Sequence, residues 1–281
     1  MKPILLELGP LQIHAYGFAL AVSFLLGSLW VGRWGRRLGY PEDDLSRLFF
    51  WLLASALVGS RIYYAFQHPE DFEGDWLDVF RIWHGGLSQY GGVIGAVFAT
   101  WMFVRSRAWR FREIADIAAP AIALGEAVTR LAGCFLAGCC HGVPTTLPWA
   151  VRYPEGSPAQ DLWHGLAVHP SPLYLAAGNL LLFAILARLL RRLAGSGRLF
   201  ALYLAGTAAL RFAVDFSRYY LPSDWHRVLG LNLTHSQWLS LALLVLALVL
   251  WARPGPRFFA AGASSGEDRA PETASGEARS R

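Results

Sequence analysis

The chain has 281 residues, of which 54% are apolar and 16% charged, against about 25% charged in an average soluble domain. With a mean hydropathy of +0.35, this composition excludes a large soluble domain and marks a membrane protein. The net charge of +5 predicts no nucleic-acid partner, because the arginines fall between apolar runs, where a membrane topology signal sits.

In chain order, apolar segments at about 11–32, 46–66, 86–104, 114–136, 172–190, 198–217 and 237–251 predict seven transmembrane helices. At 1.5 Å per residue they are long enough, or nearly so, to cross a roughly 30 Å hydrocarbon core. Ahead of the first, Lys2 is the sole basic residue and stands with Glu7 and Pro10. That is a poor n-region for a cleaved signal peptide, so the first helix is expected to be retained. Taking the loops in alternation, seventeen basic residues fall on one side and five on the other. The positive-inside rule then places the C-terminus in the cytoplasm and the N-terminus outside. The acidic loop 70–78 falls on the outer side. Residues 256–281 are rich in Pro, Gly, Ser, Ala, Glu and Arg and read as a disordered cytoplasmic tail behind a transmembrane domain of residues 1–255. No internal repeat or inverted pair of broken helices suggests a transporter.

Three arginines, Arg61, Arg130 and Arg211, lie inside predicted spans, where an uncompensated charge costs at least about 2.5–3.5 kcal/mol. Glu126 and Arg130 are four residues apart and share a helix face, as do Arg211 and Asp215, with Arg218 continuing the second face. Such pairs can be purely structural, neutralising each other between packed helices. Alternatively, two spans bringing arginine to a shared interior make an anion site, because a guanidinium offers a planar fork to phosphate oxygens. Membrane lipids carry such phosphates. The run from Trp83 to Gly95 sets two diglycines, Gly85-Gly86 and Gly91-Gly92, around polar side chains. Glycine admits a ligand close to the backbone, and N–H groups at a helix start can hold phosphate; equally, glycines let membrane helices pack closely. Ser171 before Pro172 reads as a helix N-cap, and His169 beside it as a cap or interfacial residue.

Taken together, Ile13-His14-Ala15-Tyr16-Gly17, the diglycine segment 84–95, Arg130 through Gly142, His169 through Tyr174, and Arg211 through Arg218 resemble, in order and spacing, the prolipoprotein diacylglyceryl transferase family. The resemblance covers roughly residues 8–250. It implies an all-α polytopic enzyme of the bacterial cytoplasmic (inner) membrane that moves the diacylglyceryl group of phosphatidylglycerol to the lipobox cysteine thiol of a prolipoprotein signal peptide. It calls for no cofactor and no metal. By position, Arg130 matches the family's phosphatidylglycerol-binding arginine, Arg211 and Asp215 its Arg/Glu pair, and Tyr16 its first-span tyrosine. Gly85, Gly86, Gly91, Gly92 and Gly142 are then expected to shape the lipid headgroup pocket, and Tyr90 or His84 to handle the thiol proton.

The chain departs from the family pattern at several of these places. The family's Ser-Phe-His-Gly-Gly is here Ser88-Gln89-Tyr90-Gly91-Gly92, and a tyrosine is a poor base at neutral pH unless a cation lowers its pKa. Cys134 and Cys139 replace an asparagine and a glutamate, and Leu175 stands where a glutamate usually follows the tyrosine. One extra residue between Arg130 and Phe135 turns Arg130 by about 100° relative to the motif unless a helix bulge absorbs it. Three cysteines, two of them adjacent, cannot build a disulfide framework. Cys134, Cys139, Cys140 and His141 carry soft ligand atoms that could hold a metal or do thiol redox chemistry. Alternatively the cysteines are small packing residues, take part in lipid transfer, or mark a non-catalytic lipid-binding relative.

Overall fold

The computed structural model describes residues 4–8, 11–72, 76–81, 86–228 and 230–253. The tail from residue 256 onwards lies outside them. The helices are α1 (Ala15–Arg37), α2 (Glu42–Gln67), α3 (Gln89–Ser106), α4 (Phe111–Val128), the short α5 (Pro158–Trp163), α6 (Ser171–Leu193), α7 (Arg198–Asp215) and α8 (His235–Ala252). Five of them, α1, α2, α4 with its continuation to Phe135, α6 and α8, are long and apolar enough to cross a membrane. The other two expected spans, α3 and α7, are each an 18-residue helix, made less apolar by a Gln89-Tyr90-Gly91-Gly92 start and by Arg198, Arg211 and Asp215.

Two antiparallel hairpins depart from the all-helical expectation: β1 (Ile4–Leu8) with β2 (Leu11–His14) before α1, and β3 (Trp225–Val228) with β4 (Leu231–Thr234) before α8. Leu11-Gln12-Ile13-His14 alternates apolar and polar residues with the period of a strand. The first helix therefore starts at Ala15 and not at residue 11. Leu231-Asn232-Leu233-Thr234 alternates likewise, with Gly230 at φ 80° ahead of it. Thr234 then opens α8 through a reciprocal capping box: Gln237 N–H donates to its hydroxyl at 3.2 Å, and the Gln237 side chain accepts from Thr234 N–H at 3.1 Å.

Small residues set the helix crossings. Where α1 meets α4, the Ser23 hydroxyl lies 2.7 Å from the Ala19 carbonyl, 3.0 Å from that of Gly125 and 3.1 Å from the Thr129 hydroxyl. Where α2 meets α3, a Cβ on Gly91 would sit 2.2 Å from the Gly59 carbonyl oxygen, and one on Gly95 2.2 Å from that of Ser55. Asp116 of α4 is fully buried and caps α7, accepting from Gly197 N–H and Phe200 N–H at 2.8 Å each. At the arginine-rich end, Arg37 and Arg191 lie over the Trp34 ring and Arg198 over Trp251, at 4.9, 5.8 and 5.3 Å.

Arg61, one of the three arginines inside predicted spans, is 4% exposed and organises the loop that follows α2. Its guanidinium donates to the carbonyls of Val79 at 2.9 Å, Asp78 at 2.5 Å, Arg81 at 3.3 Å and Gly86 at 3.1 Å, lies 3.6 Å from the Asp78 carboxylate, and stacks on Phe72. Its role is structural. An Arg61→Met substitution strips these carbonyls of a buried charged donor and is expected to cost about 3–5 kcal/mol. Thermal unfolding of the purified protein in detergent checks this, and an unchanged midpoint would contradict it.

Candidate functional site

The segment from Thr129 to Gly142 is shaped by two local devices. The helix of α4 widens into a π-helix over Thr129–Phe135, which takes up one extra residue without turning the chain that follows. The π-helix lies where the extra residue expected between Arg130 and Phe135 would need one. The π segment ends in a Schellman motif: Gly138, at φ 69°, donates to the Phe135 carbonyl at 3.3 Å, and Cys139 N–H donates to that of Cys134 at 3.1 Å. This geometry brings the third-last helical residue against the second residue beyond the end, here Cys134 and Cys139. Cys140 follows at φ 58°.

Arg130, second in the π segment, does not pair with Glu126 as the four-residue spacing predicted. Glu126 instead accepts from Tyr203 Oη at 2.8 Å and Thr207 Oγ1 at 3.5 Å, both on α7. Arg130 Nη1 points at sulfur, 3.5 Å from Cys134 Sγ and 3.8 Å from Cys140 Sγ. Outside the spans, the Cys140 thiol is held well below its ordinary pKa, first by hydrogen bonds from the Cys134 and Cys139 thiols and then by Arg218 and Arg130.

The second expected pair is present. Arg211 Nε lies 3.1 Å from the fully buried Asp215 carboxylate, and Arg218 Nη1 lies 3.8 Å from the same oxygen. Arg211 also donates to Ser236 Oγ on α8 at 2.9 Å and to Tyr220 Oη at 3.3 Å. Arg218 stacks on Tyr220, and its Nε is buried with no hydrogen-bond partner among the described residues. One carboxylate thus serves two guanidiniums, and Arg130 adds to the same positive field. Arg218 was expected on the face of Arg211 and Asp215 but not as a site residue, and Tyr220 and Ser236 were not expected at all. Arg218 was legible as the i,i+3 neighbour of Asp215; the other two meet Arg211 only through tertiary packing.

Arg130 also closes one end of a groove of about 390 Å³ between α1, α2 and α4. Its wall along α1 runs from Tyr16 through Leu20, Phe24 and Gly27 to Val31, and Gln89, Glu126 and Thr129 join Arg130 at the polar end. Fifteen residues of helix measure about 22 Å, more than the roughly 15 Å half-thickness of a hydrocarbon core.

Tyr16 and Arg130 are therefore brought together, and Arg211 with Asp215. Tyr90 stands apart at the start of α3, half exposed, its ring centroid 6.3 Å from that of Tyr63. Gly91 and Gly92 face α2, where a Cβ on Gly92 would lie 2.6 Å from Ser60 Oγ, so close packing accounts for both. Gly86, at φ 69°, adopts a conformation suited to glycine and gives its carbonyl to Arg61. His84 and Gly85 lie outside the described residues. Ser171 is not the cap expected; Pro170 takes that position without a side-chain cap, and the Ser171 hydroxyl lies 3.3 Å from Ser217 Oγ. His169 Nδ1 lies 3.2 Å from Tyr174 Oη, and Leu175 is buried.

Gly142 joins the cysteine loop to the end of α7. Its N–H donates to the His169 carbonyl at 2.9 Å, and it bridges to Arg218. A Cβ there would sit 2.3 Å from the Ser217 carbonyl oxygen and 2.5 Å from His169 Cβ. Gly142→Ala is therefore expected to destabilise the fold by about 1–3 kcal/mol and to displace Arg218, read as a lower unfolding midpoint in detergent. A midpoint equal to that of the parent protein would refute the close approach.

Residues 3–253 match the family model described as Prolipoprotein diacylglyceryl transferase. The chain belongs to the prolipoprotein diacylglyceryl transferase family. Relatives named phosphatidylglycerol–prolipoprotein diacylglyceryl transferase show the same kinship over most of the chain. That of Cupriavidus pinatubonensis is 33% identical over 98% of this chain and 97% of its own length. That of Methylibium petroleiphilum is 33% identical over 91% and 97%, and that of Bordetella avium 36% over 89% and 93%. Within the prolipoprotein diacylglyceryl transferase family, then, this chain combines the Arg211–Asp215–Arg218 cluster with three cysteines, two of which lie against Arg130.

Proposed function

We propose that the protein transfers the diacylglyceryl group of phosphatidylglycerol to the cysteine thiol of a prolipoprotein lipobox. The observation that carries this reading is Arg130 at the polar end of a long apolar groove between α1, α2 and α4. That is the shape of one phospholipid: an apolar slot for an acyl chain, ending on a fixed cation for the phosphate. Membership of the family and the names of the relatives agree with it.

In this reading Arg130 and Arg211 hold the phosphate, Asp215 orients Arg211, and Tyr16 flanks the headgroup where the groove meets Arg130. Gly85, Gly86, Gly91, Gly92 and Gly142 shape the backbone around the headgroup pocket, with Gly91, Gly92 and Gly142 acting through close packing. Tyr90 or His84 handles the proton that the client thiol gives up; Tyr90 adjoins groove-lining Gln89. The resulting thiolate attacks the glyceryl carbon that bears the phosphate ester. A carbon–sulfur bond forms, the carbon–oxygen bond breaks, and glycerol phosphate leaves with the electron pair. The developing charge on the departing phosphate is what the guanidiniums stabilise.

Seven membrane crossings, with the N-terminus outside and the C-terminus in the cytoplasm of the inner membrane, complete the proposal. Supporting this orientation, the arginines stacked on Trp34 and Trp251 lie at the helix ends opposite Arg130 and Arg211, as cytoplasmic anchors at an aromatic belt do. The test is incubation of the purified protein with phosphatidylglycerol radiolabelled in its headgroup. Glycerol phosphate is expected to be released when a lipobox peptide is present and not when its cysteine is replaced by serine. Lipid binding without release would instead identify a non-catalytic relative.

A further inference from the structure

We propose that Cys134, Cys139 and Cys140 form a binding site for a soft, thiophilic metal ion. The three Sγ atoms lie within 4.8 Å of one another, and none is in a disulfide. Three sulfurs bound to one ion at the usual metal–sulfur length of about 2.3 Å stand about 3.8–4.0 Å apart, so closure asks each separation to shrink by about an ångström at most. Adjacent cysteines ordinarily point away from each other and serve one ion poorly. Here the Schellman turn folds Cys139 back on Cys134, and the left-handed backbone of Cys140, at φ 58°, swings its sulfur to the same centre. A non-glycine residue in that conformation is strained and needs its surroundings to hold it there.

Charge fits as well. Three thiolates with a divalent ion carry a net charge of −1, and with a monovalent ion −2. Arg130 Nη1 lies 3.5 and 3.8 Å from two of the sulfurs, and Arg218 also bears on Cys140. Zinc in this set keeps an open fourth position, whereas copper(I) suits thiolate ligation without one. Binding either ion releases the thiol protons to solvent. The site does not depend on the lipid-transfer reading, because its readouts are ion stoichiometry and thiol protection.

The test uses full-length protein in detergent, reduced and stripped with chelator under anaerobic conditions. Zinc(II) and copper(I) are titrated separately against a chromogenic competitor, and thiols are counted by maleimide mass-labelling with and without ion. One ion per chain and protection of all three thiols are expected, and the two arms tell which ion binds. Cys134→Ser, Cys139→Ser and Cys140→Ser, each checked for monodispersity, should each weaken binding at least about 100-fold, since losses at outer-shell partners alone reach that size. Failure of the reduced parent protein to hold either ion, or equal labelling with and without ion, would overturn the site without recourse to any variant. Unchanged affinity in all three variants would do the same.

Discussion

Arg130→Ala is expected to lower diacylglyceryl transfer by about 10²–10³-fold, the loss that follows removal of one preorganised donor to a charge developing in a reaction. The side chain spans the polar end of the groove and the cysteine loop, and among the described residues that line the groove it is the one cation. Its direct partners are the Cys134 and Cys140 sulfurs and not a carboxylate, and Cys140 keeps Arg218 as a cation when Arg130 is removed. The fold should therefore survive and the reaction should not. Arg130→Lys keeps the charge but not the planar fork, and should recover part of the lost rate. Transfer rates measured beside unfolding midpoints separate the two effects. Full activity in both Arg130→Ala and Arg211→Ala would remove the anion site from the account.

Asp215→Asn is expected to cut both stability and transfer. The carboxylate is fully buried and lies 3.1 Å from Arg211 and 3.8 Å from Arg218. Without it, two guanidiniums face each other in a buried site stripped of the carboxylate they share, a loss of about 3–5 kcal/mol. Arg211 would keep Ser236 and Tyr220 as hydrogen-bond partners but lose the ion pair that fixes its direction. Because the cost comes from repulsion, adding Arg218→Gln to Asp215→Asn should recover part of the stability. The double-mutant cycle then shows a coupling of about 0.5–3 kcal/mol. Additive effects of the two changes would mean that Asp215 is not balancing both cations.

The membrane helices and the arginine pairs were visible in the sequence for different reasons. Long apolar runs locate helices to within a few residues, as at α6, expected over 172–190 and found at Ser171–Leu193. The Arg211–Asp215 pair follows from one turn of a regular helix. The same rule failed for Glu126 and Arg130 because the helix changes type at Thr129, and spacing rules hold only within one helix type. Alternation at Leu11–His14 and Leu231–Thr234 carried the strand signal, but each segment abuts an apolar run that masks a period of two. The meeting of Cys134 and Cys139 was within reach: Gly138, five-residue spacing and a helix end together spell a Schellman turn. Arg61 resembled the site arginines in sequence, and only the loop folded over it distinguishes its role.

The most direct test of the account is the mass of a lipobox peptide after incubation with phosphatidylglycerol and the purified protein, beside Arg130→Ala and an active family member. The account predicts that the parent protein adds one diacylglyceryl group to the peptide cysteine, with glycerol phosphate released in equal amount, and that the variant does so about 10²–10³-fold more slowly. An unmodified peptide from the parent protein, while the family member modifies it fully, would contradict the account.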